Sequence, residues 1–142
     1  MSPAKFLAVG RLAARCADDK KADRVSLMDV RKVSSVSDYV VLASAESQPQ
    51  LQAIYSHIVD TVKESHGLFP LHRDGIGSPQ WAVVDYGGVL IHLFHRNARD
   101  FYSLERLWEG AKPIAWEPKP APAKRPARAR PGKPARGIAK RR

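Results

Sequence analysis

Residues 81–95 read WAVVDYGGVLIHLFH, and this stretch constrains the fold more than any other. Two runs rich in β-branched and aromatic residues flank a Gly-Gly pair, which is the pattern of a β-hairpin. Glycine supplies cheaply the positive φ that tight hairpin turns demand. With Gly87 and Gly88 as the loop, Tyr86 pairs with Val89, Asp85 with Leu90, Val83 with His92 and Trp81 with Phe94. Strand alternation then sorts the side chains. One face collects Ala82, Val84, Tyr86, Val89, Ile91, Leu93 and His95, as expected beneath packed helices. The other collects Trp81, Val83, Asp85, Leu90, His92 and Phe94. Large aromatics beside a carboxylate and an imidazole suit a protein interface, where aromatic anchors are ringed by a few oriented polar groups. The same residues could equally be core, with Asp85 and His92 satisfied inside it. A one-residue slip in register would exchange the faces.

The rest of the chain supplies the layers around the hairpin. Ser2-Pro3 suits a helix start, and Leu7, Val9, Leu12, Ala14 and Cys16 form an amphipathic stripe ending near Asp18. The start is too broken by Gly10 and Arg11 for a signal peptide, and Asp18 and Asp19 argue against a transit peptide, so an ordinary cytosolic helix is expected. RVSLMDV (residues 24–30) and DYVVLAS (38–44) read as strands, and neither alternates cleanly, so both are expected inside a sheet covered on each face. Ser47 offers an N-cap and Pro49 falls in the first turn of a helix. Leu51, Ile54, Ile58, Val59 and Val62 recur along it, and Gly67 stops it. A loop or short edge strand is expected near Leu68–Arg73, then a turn through DGIGSP, and a closing helix over Ala98–Glu109. The expected fold is α/β or α+β, a mixed sheet flanked by helices.

Charge separates two regions. The chain of 142 residues carries a formal +10, and ten of its 24 Lys and Arg fall in residues 118–142, which hold six prolines and no acidic residue. Residues 1–117 are therefore neutral, with 14 cations against 14 carboxylates. A neutral domain (1–116) has no overall field to gather nucleic acid, so local shape and chemistry must select its partner. The segment 117–142 lacks the apolar surface to offset its ordering entropy and is expected to be a disordered tail. Its cations, Lys124, Arg125, Arg128 and Arg130 among them, could adhere to the phosphates of any polyanion without reading sequence.

Catalytic chemistry finds little support. A single cysteine, Cys16, excludes an internal disulfide and a thiolate cluster. His92 and His95, three apart on a strand, point to opposite faces and cannot share a metal. No phosphate-cradling glycine motif occurs, and no Gly-x-Ser-x-Gly turn surrounds Ser44 or Ser47. No run reaches the roughly 20 apolar residues of a membrane span. No catalytic residue, metal or cofactor is expected.

The strings KKADRVSLMDVRKVSSVSDYVVLAS, SQPQLQAI, QWAVVDYGGVLIHLFH and ARDFYSLERLW, in that order, resemble the ribosomal silencing factor, or Iojap-related, family, from about residue 4 to 116. The resemblance implies an α/β fold similar in outline to nucleotidyltransferases, without known transferase chemistry. It implies binding to the large ribosomal subunit through its protein number fourteen, sterically blocking association with the small subunit and repressing translation when nutrients are short. Alternative roles are large-subunit assembly and a transferase on the same scaffold. By matching position, Trp81, Asp85, Tyr86, His92 and Phe94 correspond to the family's WxxxDYG and HxF signatures, and Leu90 shares their face; this set is expected to contact the partner. Tyr102, Leu104, Glu105, Arg106 and Trp108 match a closing motif expected to buttress it. Gly88 stands where the family usually has an acidic residue, and Pro49 where a basic one is common. The basic tail is not part of the resemblance. The protein is expected to be cytoplasmic, as a monomer or homodimer.

Overall fold

The structure is a computed structural model that describes residues 3–75, 78, 80–102 and 108–117. The Ser2 cap and the tail, with Lys124, Arg125, Arg128 and Arg130, lie outside the described residues, so the structure does not address the domain boundary. The elements run α1 (Pro3–Asp19), β1 (Asp23–Asp29), β2 (Tyr39–Ala45), α2 (Gln48–His66), β3 (His72–Asp74), β4 (Trp81–Asp85), β5 (Val89–His95), α3 (Arg96–Tyr102) and β6 (Lys112–Ile114). The strands form one six-stranded sheet in the order β3-β4-β5-β2-β1-β6. β2 and β5 pair in parallel, with Tyr39 opposite Val89 and Ala45 opposite His95, and the other neighbours are antiparallel. The α+β mixed sheet with flanking helices is as the sequence leads one to expect.

α1 and α2 cover one face. Val9, Ala13 and Ala17 of α1 and Leu51, Ile54, Ile58 and Val62 of α2 are fully buried against Val41, Val84, Val89, Ile91 and Leu93 of the sheet. α2 starts and stops where its caps require. Ser47 has extended backbone and its hydroxyl accepts from the Gln50 amide at 3.2 Å. Gly67 takes the left-handed φ of 65° and donates to the Lys63 carbonyl at 2.8 Å, closing the last turn.

Two features depart from expectation. β2 is buried along its whole length, but β1 is half exposed, because the strand outside it spans only three residues. Of the helix expected over Ala98–Glu109, α3 covers the start, from Arg96 to Tyr102, and residues 103–107 lie outside the described residues. β6 has no counterpart in the sequence reading. It pairs with β1, Ile114 opposite Leu27 and Pro113 opposite Met28. Three residues show no periodicity, and a proline is tolerated there because the strand lies at the sheet edge. Beyond it the chain is clasped onto α1, where Arg11 Nε donates to the Ala115 carbonyl at 3.1 Å and Arg15 Nε to that of Trp116 at 3.0 Å.

Candidate docking face

The hairpin has the register the Gly-Gly pair implies. Trp81 lies opposite Phe94, Val83 opposite His92 and Asp85 opposite Leu90, and the Tyr86 amide donates to the Val89 carbonyl at 3.0 Å. Gly87 takes a φ of 94°. Gly88 is required for another reason: a Cβ there would lie 2.0 Å from the Phe6 ring of α1. The turn is also bound from below. The Asp38 and Tyr39 amides both donate to the Gly88 carbonyl at 3.0 Å, and the Ser37 hydroxyl donates to that of Gly87 at 3.1 Å. Gly88 is thus a packing contact with α1, and a side chain there would have to displace the Phe6 ring.

On the sheet face away from α1 and α2, Trp81, Val83, Asp85, Leu90, His92 and Phe94 are all half-buried. Towards β2 and β1 this face is closed by a small second core, where Val30, Val40 and Leu42 are fully buried and Met28, Leu90, Phe94, Trp108 and Ala111 pack against them. The buttressing expected of Trp108 is visible. Its ring lies 5.0 Å from that of His92, which in turn stacks on Phe94 at 5.7 Å and 9°. Leu104, Glu105, Arg106 and the side chain of Tyr102 lie outside the described residues. Trp81 borders β3, where Gly75 has a φ of 75° and leaves no room for a side chain against the indole.

The six expected contact residues thus divide. Trp81, Leu90 and Phe94, with Val83 beside them, form a half-buried apolar row. Asp85 already accepts the Gly87 amide at 2.7 Å, so one of its oxygens braces the turn. Tyr86 is corrected: it is 5% exposed and sits in the main core, since alternation turns it towards α2. Its hydroxyl has no hydrogen-bond partner, and burial pushes its pKa up to about 12. His92 is neither satisfied core nor open contact. Both ring nitrogens are shielded and without a partner among the described residues, and burial pushes its pKa down to about 4. The imidazole is therefore neutral at physiological pH.

The structure also reveals roles that sequence patterning did not assign. Arg99 of α3 is 2% exposed and donates through Nη1 to the Arg24 carbonyl at 2.7 Å and the Ser44 hydroxyl at 2.9 Å, pinning the closing helix across the second face. His95 Nδ1 accepts the Asn97 amide at 3.1 Å and so caps α3, on the opposite sheet face from His92. Among the described residues no group of three His, Cys, Asp or Glu could hold a metal ion. Among them, no helix is long and apolar enough to cross a membrane.

Comparisons with known proteins agree with one another. The family model described as ribosomal silencing factor during starvation matches residues 3–140. The match reaches into the basic segment, beyond the limit near residue 116 that the motifs suggested. A Bacillus subtilis ribosomal silencing factor is 36% identical over 105 residues, covering 74% of this chain and 87% of the relative. The chloroplastic Iojap protein of Arabidopsis thaliana is 31% identical, covering 78% of this chain and 46% of that longer one. A crystal structure of a Chromobacterium violaceum protein superposes with a TM-score of 0.70 at 28% identity, covering 77% of this chain and 90% of that one. One from Bacillus halodurans gives 0.62 at 30% identity, covering 73% and 93%. Motif order, hairpin register and these matches converge: the chain belongs to the ribosomal silencing factor (Iojap-related) family.

Proposed function

We propose that this protein represses translation by occupying the large ribosomal subunit at its protein number fourteen, where its bulk obstructs association with the small subunit. One observation carries the reading: Trp81, Val83, Leu90 and Phe94 form an apolar row only half covered, on a sheet whose other face is sealed by two helices. Aromatic and aliphatic side chains left partly uncovered in a row are the material of an interface core. Asp85, braced by the turn, supplies an oriented acceptor at the rim. Occupancy needs no bond making, so no acid, base or nucleophile is required, and the role is regulatory and not enzymatic. The protein acts where ribosomes work, in the cytoplasm. Lys124, Arg125, Arg128 and Arg130 add a sequence-independent attraction to ribosomal RNA.

The test is a subunit-joining assay with purified protein, scored by sedimentation. Wild-type protein is expected to co-sediment with isolated large subunits and to suppress joining. Trp81→Ala is expected to weaken binding at least tenfold at every salt concentration, as loss of a central aromatic anchor does. Normal joining at saturating wild-type protein would sink the proposal.

A further inference from the structure

A second feature lies at the end of the sheet where β1 stops and β6 begins. A groove of about 610 Å³ is lined by Asp29, Arg31, Lys32, Gly110 and Lys112. Asp29 and Lys112 are opposite each other in the β1–β6 register, so the two loops that shape the groove are held by strand pairing. Its charged lining is three cations to one carboxylate, and the carboxylate is committed. Asp29 receives the Arg31 Nε at 3.0 Å, its Nη2 at 2.7 Å and the Arg31 amide at 3.0 Å. These bonds hold the Asp29 carboxyl below its usual range. They use the Nε–Nη2 edge of the guanidinium and do not engage Nη1. The same guanidinium lies 5.5 Å from the centre of the Tyr39 ring, which fixes its plane. An arginine held this way loses little side-chain entropy on meeting an anion. Lys32 and Lys112, both exposed, supply the remaining charge.

The groove also lies at the root of the most cationic part of the chain. From Lys112 the backbone runs through β6 to Trp116, about 13 Å at strand rise. There Arg11 and Arg15 clasp the carbonyls of Ala115 and Trp116. Ten further Lys and Arg follow in residues 118–142. A lone carboxylate from a protein partner would satisfy the groove but not the cations that follow it. A polymer with a charge on every repeat meets both.

We propose that the Arg31–Lys32–Lys112 groove is a phosphate-binding site for an RNA backbone and gives the contact between RNA and the basic tail a fixed starting point on the folded domain. The inference deepens the ribosome-binding reading, but its test needs no ribosome, so the two can fail separately. The probe is a labelled single-stranded RNA oligonucleotide, titrated with the full-length chain by fluorescence anisotropy between about 50 and 200 mM salt. Lys32→Ala/Lys112→Ala is expected to reduce the slope of log K against log salt by about 1.4, from two lost single-strand phosphate contacts. Because both lysines are exposed, the double variant should melt like the wild type. A salt slope unchanged in that folded double variant overturns the proposal and leaves RNA binding to the tail alone. Polyglutamate that displaces the RNA from wild type but not from the double variant, at equal charge, would also overturn it, marking an acidic-protein site.

Discussion

At the residue scale the imidazole of His92 stands out, because nothing among the described residues answers its two nitrogens. A buried donor or acceptor without a partner costs about 1–3 kcal/mol. His92→Phe keeps the stacking on Phe94 and removes that cost, so it is expected to stabilise the fold by about 1 kcal/mol in thermal or urea unfolding. Acid reveals the same residue. The folded pKa is about 4 against an ordinary 6.5, so the unfolded chain binds the extra proton between those values. His92's contribution is complete above pH 6.5 and falls away towards pH 4, by up to about 3 kcal/mol. Melting temperatures of wild type and His92→Phe should therefore diverge as the pH drops through that window, and parallel curves would refute the assignment. Gly88 offers the opposite experiment. Gly88→Asp drives a side chain into the Phe6 ring and is expected to cost about 1–3 kcal/mol, as overpacking does. Much of that loss should be recovered in Phe6→Ala/Gly88→Asp. Alternation in the sequence was enough to sort the hairpin's side chains between faces. It could not reveal that Asp85 is partly spent on the Gly87 amide, or that Phe6 lies over Gly88. Both depend on what the fold brings to the turn from elsewhere.

At the scale of elements, legibility follows from how local the determinants are. α2 was readable from end to end because Ser47, Gly67 and the apolar residues between them act within a turn or two of each other. β6 was not, since its pairing partner β1 lies more than eighty residues away and Pro113 carries a signal against strand formation. Arg99 of α3 looks in sequence like any surface arginine. In the fold it is the pin of the second face, binding the Arg24 carbonyl and Ser44 together. Arg99→Met preserves length and apolar stem but strands those acceptors, and is expected to cost about 1.5–3 kcal/mol in urea unfolding. Ser47→Ala removes one capping bond at the start of α2 and should cost about 1 kcal/mol. Finding the two losses in the reverse order would mean that the helix cap, and not the arginine pin, dominates.

For the whole molecule, the asymmetry between sheet faces organises everything else. One face carries α1 and α2 and holds the domain together. The other is closed over β2 and β1 by Trp108, Ala111 and Arg99 and left half open over β4 and β5, which is where a partner would sit. Removing residues 118–142 should leave the melting temperature unchanged, because the clasp at Ala115 and Trp116 is retained and the composition beyond it has little apolar surface to bury. The same truncation should weaken binding to large subunits chiefly at low salt. The β1–β6 pairing also gives the molecule a clock. Leu27 leaves the ribosome 87 residues before its partner Ile114. At about 5–20 residues per second, β1 waits some 4–17 seconds with its outer edge open to any other strand. The irregularity between Asp23 and Ser26 blunts one end of that edge, but Leu27 to Asp29 stay available until the closing strand is made. For a chain whose relatives are named for silencing ribosomes, the pace of its own synthesis sets how long it is vulnerable to mispairing.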